Sequence, residues 1–176
     1  RSTPRKAKPR LPVTATQSVT PTYTTNLYNH ILWGTTDGTT NGYVASDLSG
    51  STLVTGPNVV LALPNGIQMS SSGTVTIMPS ANVTVYSGYT SSAVSGNGII
   101  NQSGSASAFV LYCANTVATM DFSFNGNGSF KGVLIALSVD VKMNGSGNSQ
   151  AIDFTGALTA NTITLNGKFN FHYDEA

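Results

Sequence analysis

Apolar and polar residues alternate with period two along much of this chain, in runs only three to five residues long. Ile67-Gln-Met69, Val75-Thr-Ile77 and Val83-Thr-Val85 are three such runs, spaced about eight residues apart. Period two is the signature of a strand with one face buried, and β-branched residues favour that geometry. Runs this short, separated by Gly/Ser/Asn corners, suit the sides of a stacked coil better than the hairpins of a sandwich. Upstream, Tyr28 to Trp33, Tyr43-Val-Ala45, Leu53-Val54 and Val59-Val-Leu-Ala-Leu63 form further apolar clusters. Turn signals Asp37-Gly38, Asn41-Gly42 and Pro64-Asn-Gly66 punctuate them.

The strongest pattern is internal repetition. Phe130-Lys-Gly132-Val-Leu134-Ile-Ala136 leads to Val141-Lys-Met143-Asn-Gly145, and Phe154-Thr-Gly156-Ala-Leu158-Thr-Ala160 leads to Ile163-Thr-Leu165-Asn-Gly167. The offset is 24 residues at the start and 22 at the end, because the second copy has a corner two residues shorter. A period of that size is one rung of a solenoid. It predicts that Phe130, Leu134 and Ala136 stack on Phe154, Leu158 and Ala160, and Val141 and Met143 on Ile163 and Leu165. The Asn-Gly pairs at 144–145 and 166–167 are expected at corners with positive φ, with the asparagines stacked as a ladder. Phe122-Ser-Phe124 and Phe169-Asn-Phe171 are expected to fill the core or its end.

The fold class that follows is all-β: a single-domain parallel β-helix, or β-solenoid, with an extended N-terminal arm. Residues 1–26 read as the arm and 27–176 as the solenoid, with its clearest repeats at 130–145 and 154–167. Pro4, Pro9, Pro12 and Pro21 break any helix in the arm. The β-prone stretch 13–19 can add a strand to a neighbouring copy, which makes Val13, Ala15, Gln17, Val19 and Tyr23 the candidate assembly residues.

Charge sharpens this division. Charged residues are 9% of the chain, against about 25% in an ordinary globular protein. Five of the eight basic residues, Arg1, Arg5, Lys6, Lys8 and Arg10, lie in the first ten positions. Beyond them only Lys131, Lys142 and Lys168 oppose seven acids, so the body is mildly acidic. The arm lacks aromatic interleaving, so specific nucleic-acid binding is not expected. No apolar stretch approaches the roughly 18 residues of a membrane span, and neither a transmembrane segment nor a signal peptide is read. The chain begins without Met and is expected to be a processed or trimmed form.

The repeated Phe-x-Gly-x-Leu-x-Ala and Asn-Gly elements, with the close Phe169-Asn-Phe171-His-Tyr-Asp-Glu-Ala176, resemble an uncharacterised bacterial family of cell-surface proteins. Its members carry a C-terminal His-Tyr-Asp-Glu-Ala signature and are often associated with type IV pilus-like or other envelope components. Val94-Ser-Gly-Asn-Gly-Ile-Ile-Asn-Gln-Ser-Gly104 matches the same style, and the resemblance covers about residues 59–176. Ala136-Leu-Ser-Val-Asp140 departs from it, where similar proteins tend to have Ala-Pro-Asn-Ala. The resemblance implies a right-handed parallel β-helix at the cell surface and supplies no catalytic residues.

Candidate chemistry is sparse. His172, Asp174 and Glu175 form a terminal polar cluster, read either as an acid/base or metal pair or as a polar cap on the last rung. Two ligands do not complete a metal site, and His30 is remote in sequence. Asp121, Asp140 and Asp153 are the acids a polysaccharide-active enzyme would need, or solvated corner residues. Cys113, within Phe109-Val-Leu-Tyr-Cys113, reads as a small buried hydrophobe. Asn-x-Ser/Thr sequons at Asn82, Asn101, Asn127 and Asn144 follow from composition. Thr74-Val-Thr76 and Thr162-Ile-Thr164 resemble the threonine pairs of ice-binding solenoids.

No catalytic, cofactor or metal residues are assigned. The expected protein is an extracellular or cell-surface structural subunit, partnered by copies of itself through solenoid ends and arm. A carbohydrate-binding or adhesive module is the alternative, with a glycan or envelope polymer as partner.

Overall fold

The computed structural model describes residues 17–18, 28, 30–45, 50–67, 69, 73–88, 91–94, 98–113, 119–124, 129–145 and 151–173. Their strands are β1 (Gln17–Ser18), β2 (His30–Leu32), β3 (Asn41–Val44), β4 (Thr52–Val54), β5 (Val59–Leu63), β6 (Thr74–Ile77) and β7 (Val83–Ser87). They continue as β8 (Ser91–Val94), β9 (Gly98–Asn101), β10 (Phe109–Cys113), β11 (Thr119–Phe124), β12 (Phe130–Gly145), β13 (Ile152–Asn166) and β14 (Phe169–His172). A 3-10 turn, Ala106–Ala108, precedes β10.

Every strand pairing is parallel, and partners lie one turn of chain apart, which makes the molecule a β-solenoid. One wall is the four-stranded sheet β2-β4-β6-β9. The second wall runs β1-β3-β5-β7-β10 and continues through the first halves of β12 and β13. The third is β8-β11, continued by the second halves of β12 and β13. Thus β12 and β13 each turn a corner without losing strand character, with a register shift between Ala136 and Asp140. That shift is the two-residue difference between the repeat copies.

The predicted columns are all present. Phe130 pairs with Phe154, Leu134 with Leu158, Ala136 with Ala160, Val141 with Ile163 and Met143 with Leu165. Alternation sets what faces inward: Val59, Leu61 and Leu63 of β5 are buried, and so are Val83, Val85 and Ser87 of β7 above them. Like residues therefore meet along the axis, each fully buried aliphatic stabilising the fold by about 1.5–3 kcal/mol. The rings of Phe130 and Phe154 stack at 4.7 Å, and Phe109 meets Phe130 edge-on at 5.9 Å. Gly132 makes room for that pair: a Cβ there would lie 2.7 Å from Cδ1 of Phe109 and 3.1 Å from Cε1 of Phe130.

The second glycine of the motif has a different cause. Gly156 has φ of +133°, and a Cβ there would lie 2.0 Å from the Gly132 carbonyl oxygen. Of the Asn-Gly corners, Gly167 takes positive φ as expected, but Gly145 does not, because it remains in strand opposite Phe124. The asparagine ladder does form, with Asn166 Nδ2 donating to Asn144 Oδ1 at 2.9 Å. A comparable stack marks the corner before β5 and β7, where Asn82 Oδ1 accepts from the Asn58 backbone amide at 3.0 Å.

Gln17–Ser18 lies in the stretch read as the arm, yet pairs with Tyr43–Val44 of its own chain. Val13, Ala15, Val19 and Tyr23 lie outside the described residues. No helix among the described residues is long and apolar enough to cross a membrane.

Candidate functional site

Two chemically distinct places sit at the closing end of the coil. The first is a polar clasp on its outside. β14 lies over Ile152–Thr155 of β13, placing Asn170 opposite Asp153 and His172 opposite Thr155. Alternation turns Asn170 and His172 outward, where both reach one carboxylate. Asn170 Nδ2 donates to Asp153 Oδ1 at 3.1 Å, and His172 Nε2 lies 3.2 Å from the same oxygen. These bonds, Asn170 first and then His172, hold the Asp153 carboxyl below its ordinary pKa. Asp174 and Glu175, the other members of the predicted cluster, lie outside the described residues.

Asp140 is handled in the same way at the neighbouring corner. Its Oδ1 accepts from Thr162 Oγ1 at 2.6 Å and from Asn161 Nδ2 at 2.9 Å, and these bonds lower its pKa. Both acids are solvent-exposed and bridge successive rungs. Asp121 lies on β11 in register with Lys142, one rung below β13. His30 is on β2, at the opposite end of the stack from His172. Among the described residues no three His, Cys, Asp or Glu side chains gather at metal-binding distance. Burial pushes the Cys113 thiol up to about 12, and its sulfur meets Met120 Sδ at 3.5 Å. Thr74 and Thr76 lie on a different wall from Thr162 and Thr164, so the threonine pairs do not form one array.

The second place is the open edge of the last full rung. β14 covers only the first four residues of β13, so from Gly156 to Asn166 no strand pairs with its outer edge among the described residues. Ile163 is 46% and Leu165 43% exposed, although the residues directly below them, Val141 and Met143, are buried. Phe171, 51% exposed, ends the Phe130–Phe154–Phe171 ring stack, 5.4 Å from Phe154. None of the eleven residues from 156 to 166 is charged. Exposed edges are ordinarily blunted by lysine, proline or bulges, and neither lysine nor proline interrupts this one.

Residues 17–176 match the model of a domain of unknown function, DUF7305. The chain belongs to that family. The DUF7305 match begins at Gln17, the first residue of β1, and so spans the ladder from its first described strand to beyond its last. No curated protein and no solved structure matches the chain.

Two features of the DUF7305 domain escape sequence reading. Tyr86 and Tyr112 stack outward at 5.2 Å and 11°, a pair visible only once β7 and β10 are in register. A shallow pocket of about 140 Å³ lies among Ser105, Ser107, Val133, Gly156, Ala157 and Tyr173. The 3-10 turn positions its two serine hydroxyls, which are 2.8 Å apart.

Proposed function

We propose that the protein is a structural subunit of a cell-surface assembly, joined copy to copy through the ends of its coil, with the N-terminal arm as a further contact. The observation that carries this reading is the uncharged edge from Gly156 to Asn166, whose Ile163 and Leu165 continue columns buried one rung below. An unpaired strand edge offers backbone donors and acceptors to a further strand, and burying these side chains supplies the driving force. The surface placement draws on the low-charge, Gly/Ser/Thr/Asn-rich composition and on the cell-surface resemblance.

The test is the size distribution of the purified chain, by light scattering and electron microscopy, against an Ile163→Lys/Leu165→Lys variant. Wild type should form concentration-dependent oligomers or filaments, and the variant should stay monomeric with an unchanged circular dichroism spectrum. A strictly monomeric wild type at high micromolar concentration would remove the reading.

One observation favours a second reading, a carbohydrate-binding or adhesive module. The pocket beside Tyr173 offers hydroxyls and an aromatic ring together, a combination suited to a sugar, though it is smaller than the roughly 300–1,000 Å³ of ordinary ligand sites. Saturable binding in a glycan screen, lost on Tyr173→Ala, would support it.

A further inference from the structure

Resting on that assembly reading, we infer that copies join head to tail, the first strands of one copy continuing the ramp that β14 leaves unfinished on the copy before it. A coil ends in a step, and the two ends of this coil have steps that match.

At the closing end, β14 stands over Ile152–Thr155, where the chain enters the second wall. That is the place β9 holds lower down, tied to the start of β12 by Asn101 Nδ2 donating to the Lys131 carbonyl. The next element of the ramp would lie on the second wall, on the open edge from Gly156 onward, and the one after the third wall would cover β14. At the opening end the described strands come in that order: β1 on the second wall, then β2 on the first. β1 therefore fits the ledge on β13, and β2 fits above β14.

Register supports the same placement. Gln17, Tyr43, Leu61, Val85, Leu111, Leu134 and Leu158 form one continuous column through six parallel pairings. Ser18 heads the neighbouring column, which runs through Val44, Ala62, Tyr86, Tyr112 and Ile135 to Thr159. Continuing these columns sets Gln17 of a second copy against Leu158 and Ser18 against Thr159, with each pairing parallel like all the others.

The closing end also offers a face of useful size. The eleven open residues of β13 run about 36 Å at 3.3 Å per residue, and a sheet layer is about 10 Å deep. With the four residues of β14, the closing end presents a face of roughly 500 Å². Covered in full, that face gives a total of roughly 1,000 Å², about the minimum for a specific interface. A two-fold contact between two closing ends would instead run antiparallel and yield closed dimers.

Two chains in a Cys113→Ala background, Ser18→Cys and Thr159→Cys, each then hold a single cysteine and distinguish these geometries. In-register neighbours on adjacent strands lie within disulfide reach, and both positions belong to the column that runs through Tyr86 and Tyr112. Head-to-tail joining predicts a covalent dimer under mild oxidation only when the two chains are mixed. The chain carrying both substitutions should give a ladder of covalent oligomers on a non-reducing gel. As a second measurement, the Ile163→Lys/Leu165→Lys chain retains its opening end, so small amounts should cap wild-type assemblies and shorten them.

Oligomers that form without the mixed disulfide, or that are not shortened by the capping chain, overturn the polarity while leaving end-to-end assembly standing. A wild-type chain that stays monomeric instead removes the assembly reading itself.

Discussion

The same motif occurs twice in this protein and meets two environments. In β12 it lies between β10 and β11 on one side and β13 on the other, and Phe130, Leu134, Ala136, Val141 and Met143 are all buried. In β13 the matching Leu158 and Ala160 are only half-buried, and Ile163 and Leu165 are largely open. Direction is equal in the two copies, since alternation points the same residues inward. Burial is not, because a solenoid side chain is covered chiefly by the turns before and after it. An inward-facing residue on the last rung is therefore a core residue with one neighbour missing.

The contrast is broken most severely by a charge in one column. Val141→Lys places an ammonium in the core and should cost more than about 4 kcal/mol, enough to abolish the cooperative transition in urea. Ile163→Lys, directly above it, should leave the midpoint nearly unchanged and act on association alone. Equal destabilisation by the two would show that the end rung is covered within a single chain.

The motif glycines sharpen the comparison further. Gly132→Ala and Gly156→Ala should each destabilise by about 1–3 kcal/mol, the first by crowding the Phe109 and Phe130 rings and the second by backbone strain. A Phe109→Leu background should recover part of the loss for Gly132→Ala and none for Gly156→Ala. Equal recovery in both, measured by urea denaturation, would contradict the separate causes.

The smallest effect concerns the polar clasp that marks the end rung. Asp153 is held below its ordinary pKa by Asn170 and His172. Its contribution is therefore fully present above the ordinary carboxylate range and is lost as pH falls through the lowered folded value. Amide exchange in β14 should accelerate over that acidic window while β12 stays protected, and Asp153→Asn should flatten the pH dependence. An unchanged β14 profile in the variant would exclude the clasp as its cause.

Much of this was legible in advance because the repeat carries its own register. The pairings from Phe130 with Phe154 through Met143 with Leu165 follow from aligning the two copies, as does the bulge at Ala136 to Asp140. The asparagine ladder at 144 and 166 was legible for the same reason. The polar site was not. Chain proximity groups His172 with Asp174 and Glu175, which lie outside the described residues, and does not point to Asp153, the carboxylate nineteen residues away that it meets. Strand geometry separates adjacent side chains and brings together residues one turn apart, so a contact of this kind does not show as local clustering in the sequence. Gln17 is similar: its place in a β-prone stretch near the start gave no sign of which strand it pairs with, and its partner is Tyr43.

What the sequence determined by itself was the direction of each side chain and the order of the stack. Both follow from period-two alternation and from like residues recurring once per turn. Only the tertiary structure decided, among the described residues, which rung ends the stack, which inward residues stay uncovered, and which outward polar groups share a carboxylate. Those depend on neighbours along the coil axis, and a side chain's neighbour there comes from a different turn of the chain.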